Sequence, residues 1–361
     1  MTQTILGIII RLSCLVFLAS AFGPYYGAVS AASVAEVLSR LEKVPDHDRQ
    51  SFLEAGAKKE GKMVFYSTMT ADHGNKILSR FHLRYPFLTP QFYRAGTTAL
   101  LSKMLMEARA GKDEVDVFNQ SEGPTYEMIH AGLTAMYKSP NRKAVREEMM
   151  DKEGYWAGMY HIVVVVAYNT GQVGKGEVPK KYEDLLDSRW DGRMGLDTQD
   201  ADWFHTLLEY WGEERGLAYM RKLAALKSQI RTGHTLEAQL LAAGEFSLSP
   251  VLYGYRIAEM MTQGAPVGFV LIDPVVSKLR VVSLAKKAPH PHAGILLVDW
   301  ILSDEGQTIM AQDLGRGTVS KRLQSKYERL NHPKYLTVRA ETLGPMYRKR
   351  LGQYQEIFQF K

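Results

Sequence analysis

Two tyrosines flank a glycine in Tyr253-Gly254-Tyr255, just after an apolar segment, Phe246 to Val251. Such rings can wall a cleft and stack on an organic ligand. Asp202, next to Trp203 in Asp200-Ala201-Asp202-Trp203, and Glu122 in Ser121-Glu122 would favour a cation. Thr97 and Thr98 at a helix start bring hydroxyls and free amide N–H groups, which suit an anion. Arg94 beside them can clamp a carboxylate or phosphate through two parallel bonds. Ser67-Thr68 and Thr232-Gly233-His234-Thr235 add further polar loops. Each residue also has a plainer reading. Thr97 can be a helix cap, Arg94 a surface ion pair, and the carboxylates solvated loop residues.

The elements that must position these residues follow one pattern. Met63 to Tyr66, Gln91 to Arg94 and Asp116 to Phe118 are short apolar strands, each followed by a polar loop and an amphipathic helix. Ile77, Leu78 and Phe81 mark one helix, and Leu101, Met104, Leu105 and Ala108 the next. Gln229 to Arg231, Phe246 to Val251 and Val267 to Ile272 repeat the alternation further on, with Trp203, Leu207 and Trp211 lining one helix. Strands alternating with helices indicate a parallel, doubly wound α/β sheet. Ligands of such sheets bind beyond the carboxyl ends of the strands. Every candidate residue above falls in such a loop.

The linking segment is the most specific. Ile162 to Val166 is a run of branched apolar residues suited to a strand buried on both faces. It continues through Tyr168-Asn169-Thr170 to Pro179, Tyr182, Asp184-Leu185-Leu186, Trp190 and Gly192-Arg193-Met194-Gly195. This order resembles the segment of periplasmic solute-binding proteins of ABC importers where the chain crosses between lobes. The resemblance is closest to the ferric-iron-binding branch of the type II superfamily. A second stretch, Lys286 to Gln307, agrees. It has a His290-Pro-His292 turn, an apolar stripe of Ala293, Leu296, Leu297, Trp300 and Ile301, and Ser303 as an N-cap before Asp304-Glu305.

The resemblance implies two doubly wound α/β lobes joined by a hinge of extended crossings, near Ile162–Tyr168 and Phe269–Val275. Lobe one is expected over 32–162 and 275–321, lobe two over 163–274, and a tail over 322–361 packed across both. In the ferric branch, adjacent tyrosines ligate iron as phenolates. Counted from Gly244, Tyr255 falls on the second of these and Gly254 on the first, so Tyr255 is the one candidate metal ligand carried over. The histidine ligand's place is taken by Thr70. Ser121-Glu122 lies near the carboxylate ligand, offset by about one residue. The phosphate-binding turn of small residues is replaced by Asp200-Ala201-Asp202, which would repel a phosphate. His290-Pro-His292 reads as a structural turn rather than a metal pair.

Composition narrows the rest. Residues 1–31 hold no acidic residue and one basic one, Arg11, and end in Val29 and Ala31 before Ala32, the pattern of a cleaved export signal. Cys14, the only cysteine, lies inside that leader, so the mature chain would have no disulfide and no thiolate chemistry. Any metal it held would be hard, bound through oxygen, with His234 a possible partner. The net charge of +6 is dispersed, without the basic block that nucleic acid would need. No HExxH, GxSxG or Walker A sequence is present. The expectation is an exported monomer without catalytic residues or resident cofactor. It would bind a small ligand, ferric iron or a small organic ion (amine, carboxylate or phosphonate), and deliver it to a permease. A sensing subunit and a periplasmic enzyme on the same scaffold are the alternatives.

Overall fold

A computed structural model describes residues 32–332 and 334–360. The export leader expected over residues 1–31 lies outside the described residues. Helices α1 (Val34–Leu41) and α2 (Arg49–Glu60) lead into β1 (Lys62–Ser67). The first lobe continues through α3 (Ala71–Arg84), β2 (Thr89–Arg94), α4 (Thr97–Arg109), β3 (Val117–Ser121) and α5 (Glu122–His130). The crossing strand is β4 (Ala157–Asn169). Beyond it come β5 (Gly195–Asp197), α6 (Ala201–Trp211), α7 (Glu213–Ala224), β6 (Gln229–Arg231), α8 (His234–Ala243), β7 (Leu248–Tyr253), α9 (Gly254–Thr262) and β8 (Val267–Val270). The chain returns along β9 (Val276–Leu284) to α10 (Pro291–Leu302) and α11 (Asp304–Thr308), then reaches β10 (Leu336–Thr337) and α12 (Ala340–Ile357).

The main sheet runs β2-β1-β3-β9-β4-β7, with β10 on β9 and β8 on β4. β1, β2 and β3 are parallel, as the alternation predicts. The whole sheet is mixed, because β9 runs antiparallel to both β3 and β4. The reason is topological: a strand returning from the second lobe enters the first against its direction.

β4 explains how two lobes share one backbone. Its first half, Ala157 to Val163, pairs with β9. Its second half, from Val164, pairs with β7 on one side and β8 on the other. All of it except Tyr168 is buried, which suits its branched apolar composition. The sequence run Ile162–Val166 marks only its middle, since Ala157-Gly158-Met159-Tyr160 lacks branched residues.

α10 is buried around its whole circumference, Ile295 and Val298 included, because α2 covers the face away from β1, β3 and β9. The Ser303 hydroxyl accepts from the Gly306 N–H at 3.2 Å and caps α11. The His290-Pro-His292 turn is structural: His290 Nδ1 lies 2.9 Å from Asp116 and His292 Nδ1 2.6 Å from Glu60. In the second lobe Trp190, Trp203, Leu207 and Tyr354 share one apolar cluster. α12 packs against α5 and α6. Among the described residues, no helix is long and apolar enough to cross a membrane.

Candidate functional site

Six loops, all at carboxyl ends of strands, converge on a cleft of about 750 Å³. Thr68 follows β1, Arg94 and Thr97 flank the β2–α4 turn, and Ser121 ends β3. From the other side come Asp197 and Asp202 after β5, Thr232 and His234 after β6, and Tyr253 and Tyr255 around the end of β7. Tyr160, Arg280, Arg316 and Tyr347 also line it.

The acidic turn before α6 does not present bare carboxylates. β9 carries Lys278 and Arg280 on one face, two residues apart, against α6. The Lys278 ammonium donates to Asp200 and lies 2.9 Å from Asp202. Arg280 lies 3.9 Å from Asp202 and donates to the Tyr253 hydroxyl at 3.1 Å. Lys278 and Asp200 are 1% and 0% exposed, so each needs the other to remain charged. The repulsion of a phosphate expected from Asp200-Ala201-Asp202 is therefore cancelled by cations from another strand.

His234 opens α8 between Asp200, 3.0 Å from Nε2, and Asp197, 3.6 Å from Nδ1. Its ring stacks on Tyr253 at 4.0 Å and 12°. Burial works against its charge, but Asp200 and Asp197 hold its pKa up at about 9. The Gly233 N–H donates to Asp197, so the start of α8 already has its anion. α4 starts at Gly96 with no side-chain cap and opens on the cleft.

Arg316 lines the same cleft. Two glycines carry it inward: Gly315 has φ +63°, and a Cβ at Gly317 would lie 2.4 Å from the His161 ring. Its guanidinium sits 3.6 Å above the centre of the Tyr255 ring and 4.8 Å from that of Tyr160. It donates to His73 Nδ1 at 2.8 Å. Burial, and then Arg316 itself, push the His73 pKa down to about 4, so that ring is neutral. Arg316 is 2% exposed, its Nε has no hydrogen-bond partner, and no carboxylate pairs with it among the described residues.

Of the residues singled out in the sequence, Thr68, Arg94, Thr97, Ser121, Asp202, His234, Tyr253 and Tyr255 line the cleft. Four do not. The Ser67 hydroxyl is fully buried and braces its loop, donating to Asn119 Oδ1 at 2.9 Å. Thr98 is exposed on the outer side of α4. Trp203 points into the second-lobe core with Leu207, the next residue on its helical stripe. Glu122 is 1% exposed beneath the cleft, and burial raises its pKa to about 8. Sequence reasoning missed Lys278, Arg280, Arg316, Tyr160 and Tyr347. A signal existed for three of them. Lys278 and Arg280 alternate inside VVSKLRVVSL, whose other residues are apolar or serine, and Arg316 lies between two glycines.

Asp197, Asp200 and His234 are the one group able to gather around a metal ion among the described residues. It fits poorly. Lys278 already supplies the cation at Asp200, and His234 would have to lose a firmly held proton. Tyr253 is bonded to Arg280, and burial pushes its phenol pKa up. Tyr255 remains, with Arg316 across its face.

These shifts fix the sign of a pH effect. The charged His234 stabilises the fold fully below about 6.5, and that contribution is lost as pH rises through about 9. Burial likewise raises Glu237 to about 8, so Glu122 and Glu237 contribute most below about 4.5 and lose that contribution by about 8. Tm should therefore fall steadily from pH 6 to 9.5. Glu122→Gln should flatten the part below 8 and leave the His234 part. A Tm constant over this range would contradict the assignment.

The model of the family described as bacterial extracellular solute-binding protein matches residues 116–330. A Haemophilus influenzae protein without an assigned function is 27% identical over 272 residues, 71% of this chain and 77% of its own. The Fe(3+)-binding periplasmic protein of Serratia marcescens is 22% identical over 228 residues, 60% of this chain and 66% of its own. Iron-bound HitA from Pseudomonas aeruginosa superposes with a TM-score of 0.72 at 19% identity, covering 82% of this chain and 99% of HitA. AfuA from Actinobacillus pleuropneumoniae, solved with fructose-6-phosphate bound, gives 0.70 at 21% identity, covering 83% and 99%.

Proposed function

Because the chain belongs to the bacterial extracellular solute-binding proteins, we propose that it captures a small organic anion, a carboxylate or phosphate ester, in its interlobe cleft and delivers it to the permease of an ABC importer. The protein breaks no bond in this role. Ligand favours the closed state because it touches both lobes only there. A micromolar dissociation constant asks for about −8 kcal/mol, within reach of a few charge-assisted hydrogen bonds and one aromatic contact.

The observation that carries this reading is the buried Arg316 guanidinium without an acidic partner. A buried charge is costly until it is paired. Among the described residues of the cleft and its floor, Arg94, His234, Lys278, Arg280 and Arg316 are set against Asp197, Asp200 and Asp202, with Glu122 and Glu237 protonated at neutral pH. The surplus is positive and is concentrated at Arg316, which lines the same cleft as the uncapped start of α4. An anion there would accept from Arg316 and from the free N–H groups of α4. Tyr255 and Tyr253 would wall its organic part.

Iron is the cargo in the names of several relatives, and Tyr255 keeps one of the positions that the ferric branch uses. Its surroundings favour the organic anion, because Arg316 would repel a ferric ion at that ring. Native mass spectrometry of the purified protein tests the choice. An adduct of a few hundred daltons, free of iron and released on denaturation, is the expected result. A stoichiometric iron adduct would sink the anion reading.

A further inference from the structure

The family model stops matching at residue 330, before β10 and α12. α12 is nevertheless tied into the site. The hydroxyl of Tyr354, itself fully buried, donates to the Asp197 carbonyl at 2.7 Å, just behind the carboxylate that holds His234. Arg350, 5% exposed, makes two 2.6 Å bonds to the Glu213 carboxylate and one of 3.2 Å to His205. These contacts anchor the carboxyl half of α12 on the second lobe. Its amino half meets α5 of the first lobe. Gly344 lies under the Tyr126 ring, Arg348 pairs with Glu127, and the Tyr347 ring rests on Gly123.

Tyr347 is therefore held at the junction of both lobes, and it lines the cleft. It is 7% exposed, and its hydroxyl makes no hydrogen bond among the described residues. The charges around it are Asp202, Glu127, Arg280 and Lys278, two of them on the cationic face of β9. A phenol that lines the cleft and has no hydrogen-bond partner among the described residues is a donor suited to an oxygen of an anionic ligand.

We infer that α12 is part of the ligand site: Tyr347 forms one wall of the cleft and its hydroxyl bonds the bound solute, so a segment beyond the family match sets specificity. This rests on the reading of the cleft as an organic-anion site. It assigns α12 a binding role in addition to its packing role.

Calorimetry on the full mature chain tests it, with citrate, inorganic phosphate and fructose 6-phosphate as probes against wild type, Tyr347→Phe, Gly123→Ala and Arg316→Met. Tyr347→Phe removes only the hydroxyl. Gly123→Ala leaves Tyr347 in the sequence but places a Cβ 2.4 Å from its ring, which must move. The tightest probe should bind about fivefold more weakly to Tyr347→Phe and tenfold or more weakly to Gly123→Ala. The rank order of the probes should change in both variants, while the Tm of unliganded Tyr347→Phe stays put; Gly123→Ala lowers Tm through the clash alone and is read only by its binding. A purely packing role would shift the Tm of Tyr347→Phe and leave the rank order alone. Affinities within twofold of wild type in both variants, with Arg316→Met impaired, would overturn the inference and keep the anion reading. Failure of wild type to bind any probe would overturn both.

Discussion

Arg316→Met should weaken binding of the organic anion by about 100-fold and should not weaken the unliganded fold. The first half follows from what the guanidinium offers. A buried, charge-assisted, two-pronged donor lost from a ligand site costs on the order of 2–5 kcal/mol of binding. The second half follows from what it lacks. Arg316 is 2% exposed with no carboxylate partner among the described residues, so in the empty cleft its desolvation is relieved only in part, by His73 and two tyrosine rings. Methionine keeps the length of the side chain and packs well on Tyr255 and Tyr160. The unliganded Tm is expected to stay level or rise by a few degrees. The rise in Tm that the ligand gives to wild type should largely vanish. A variant less stable when empty, yet still stabilised by ligand, would show that Arg316 is only structural.

Lys278→Met has the opposite signature. It leaves Asp200 with His234 alone, 3.0 Å away, and Asp202 with Arg280, 3.9 Å away, so two buried carboxylates lose the cation they share. Removing one partner of a buried pair typically costs about 3–5 kcal/mol. For a chain of this size that lowers Tm by on the order of 10 °C. Asp200→Asn added to Lys278→Met removes the carboxylate that lost its lysine and should recover part of the loss, with Asp197 left as the acid beside His234. The two substitutions are then strongly non-additive, as expected for residues in direct contact. Additive losses in denaturant unfolding would mean that Lys278 and Asp200 do not form one unit.

These two cations also mark the limit of what the sequence discloses. The crossing strand was legible because Ile162 to Val166 is a rare composition, and the late helix because its apolar stripe and Ser303 cap obey local rules. The loops at strand ends were legible because the alternation of elements fixes where such loops gather. Charge balance was not, because it depends on register. Asp200-Ala201-Asp202 looks like an anionic turn until β9 is set beside α6, and nothing local ties Lys278 to Asp200, 78 residues away. Trp203 and Asp202 are neighbours in sequence, yet a helix turns successive side chains apart. One faces the cleft and the other the core. Glu122 sits one residue past the strand that places Ser121 in the cleft, and that single step takes its side chain out of the lining. Tyr347 lies 92 residues past Tyr255 and enters the site only through the packing of α12 on α5 and α6.

A cleft built for an organic anion and one built for ferric iron differ in what they bind and in the colour of the complex. Parallel titrations of metal-free protein with ferric citrate, citrate alone and fructose 6-phosphate, followed by calorimetry and visible absorbance, tell the two apart most directly. The expected result is a colourless complex with a metal-free anion, insensitive to chelator, unchanged in kind by Tyr255→Phe and lost in Arg316→Met. A coloured, chelator-sensitive complex that forms only with iron, disappears in Tyr255→Phe and is indifferent to Arg316→Met would contradict it.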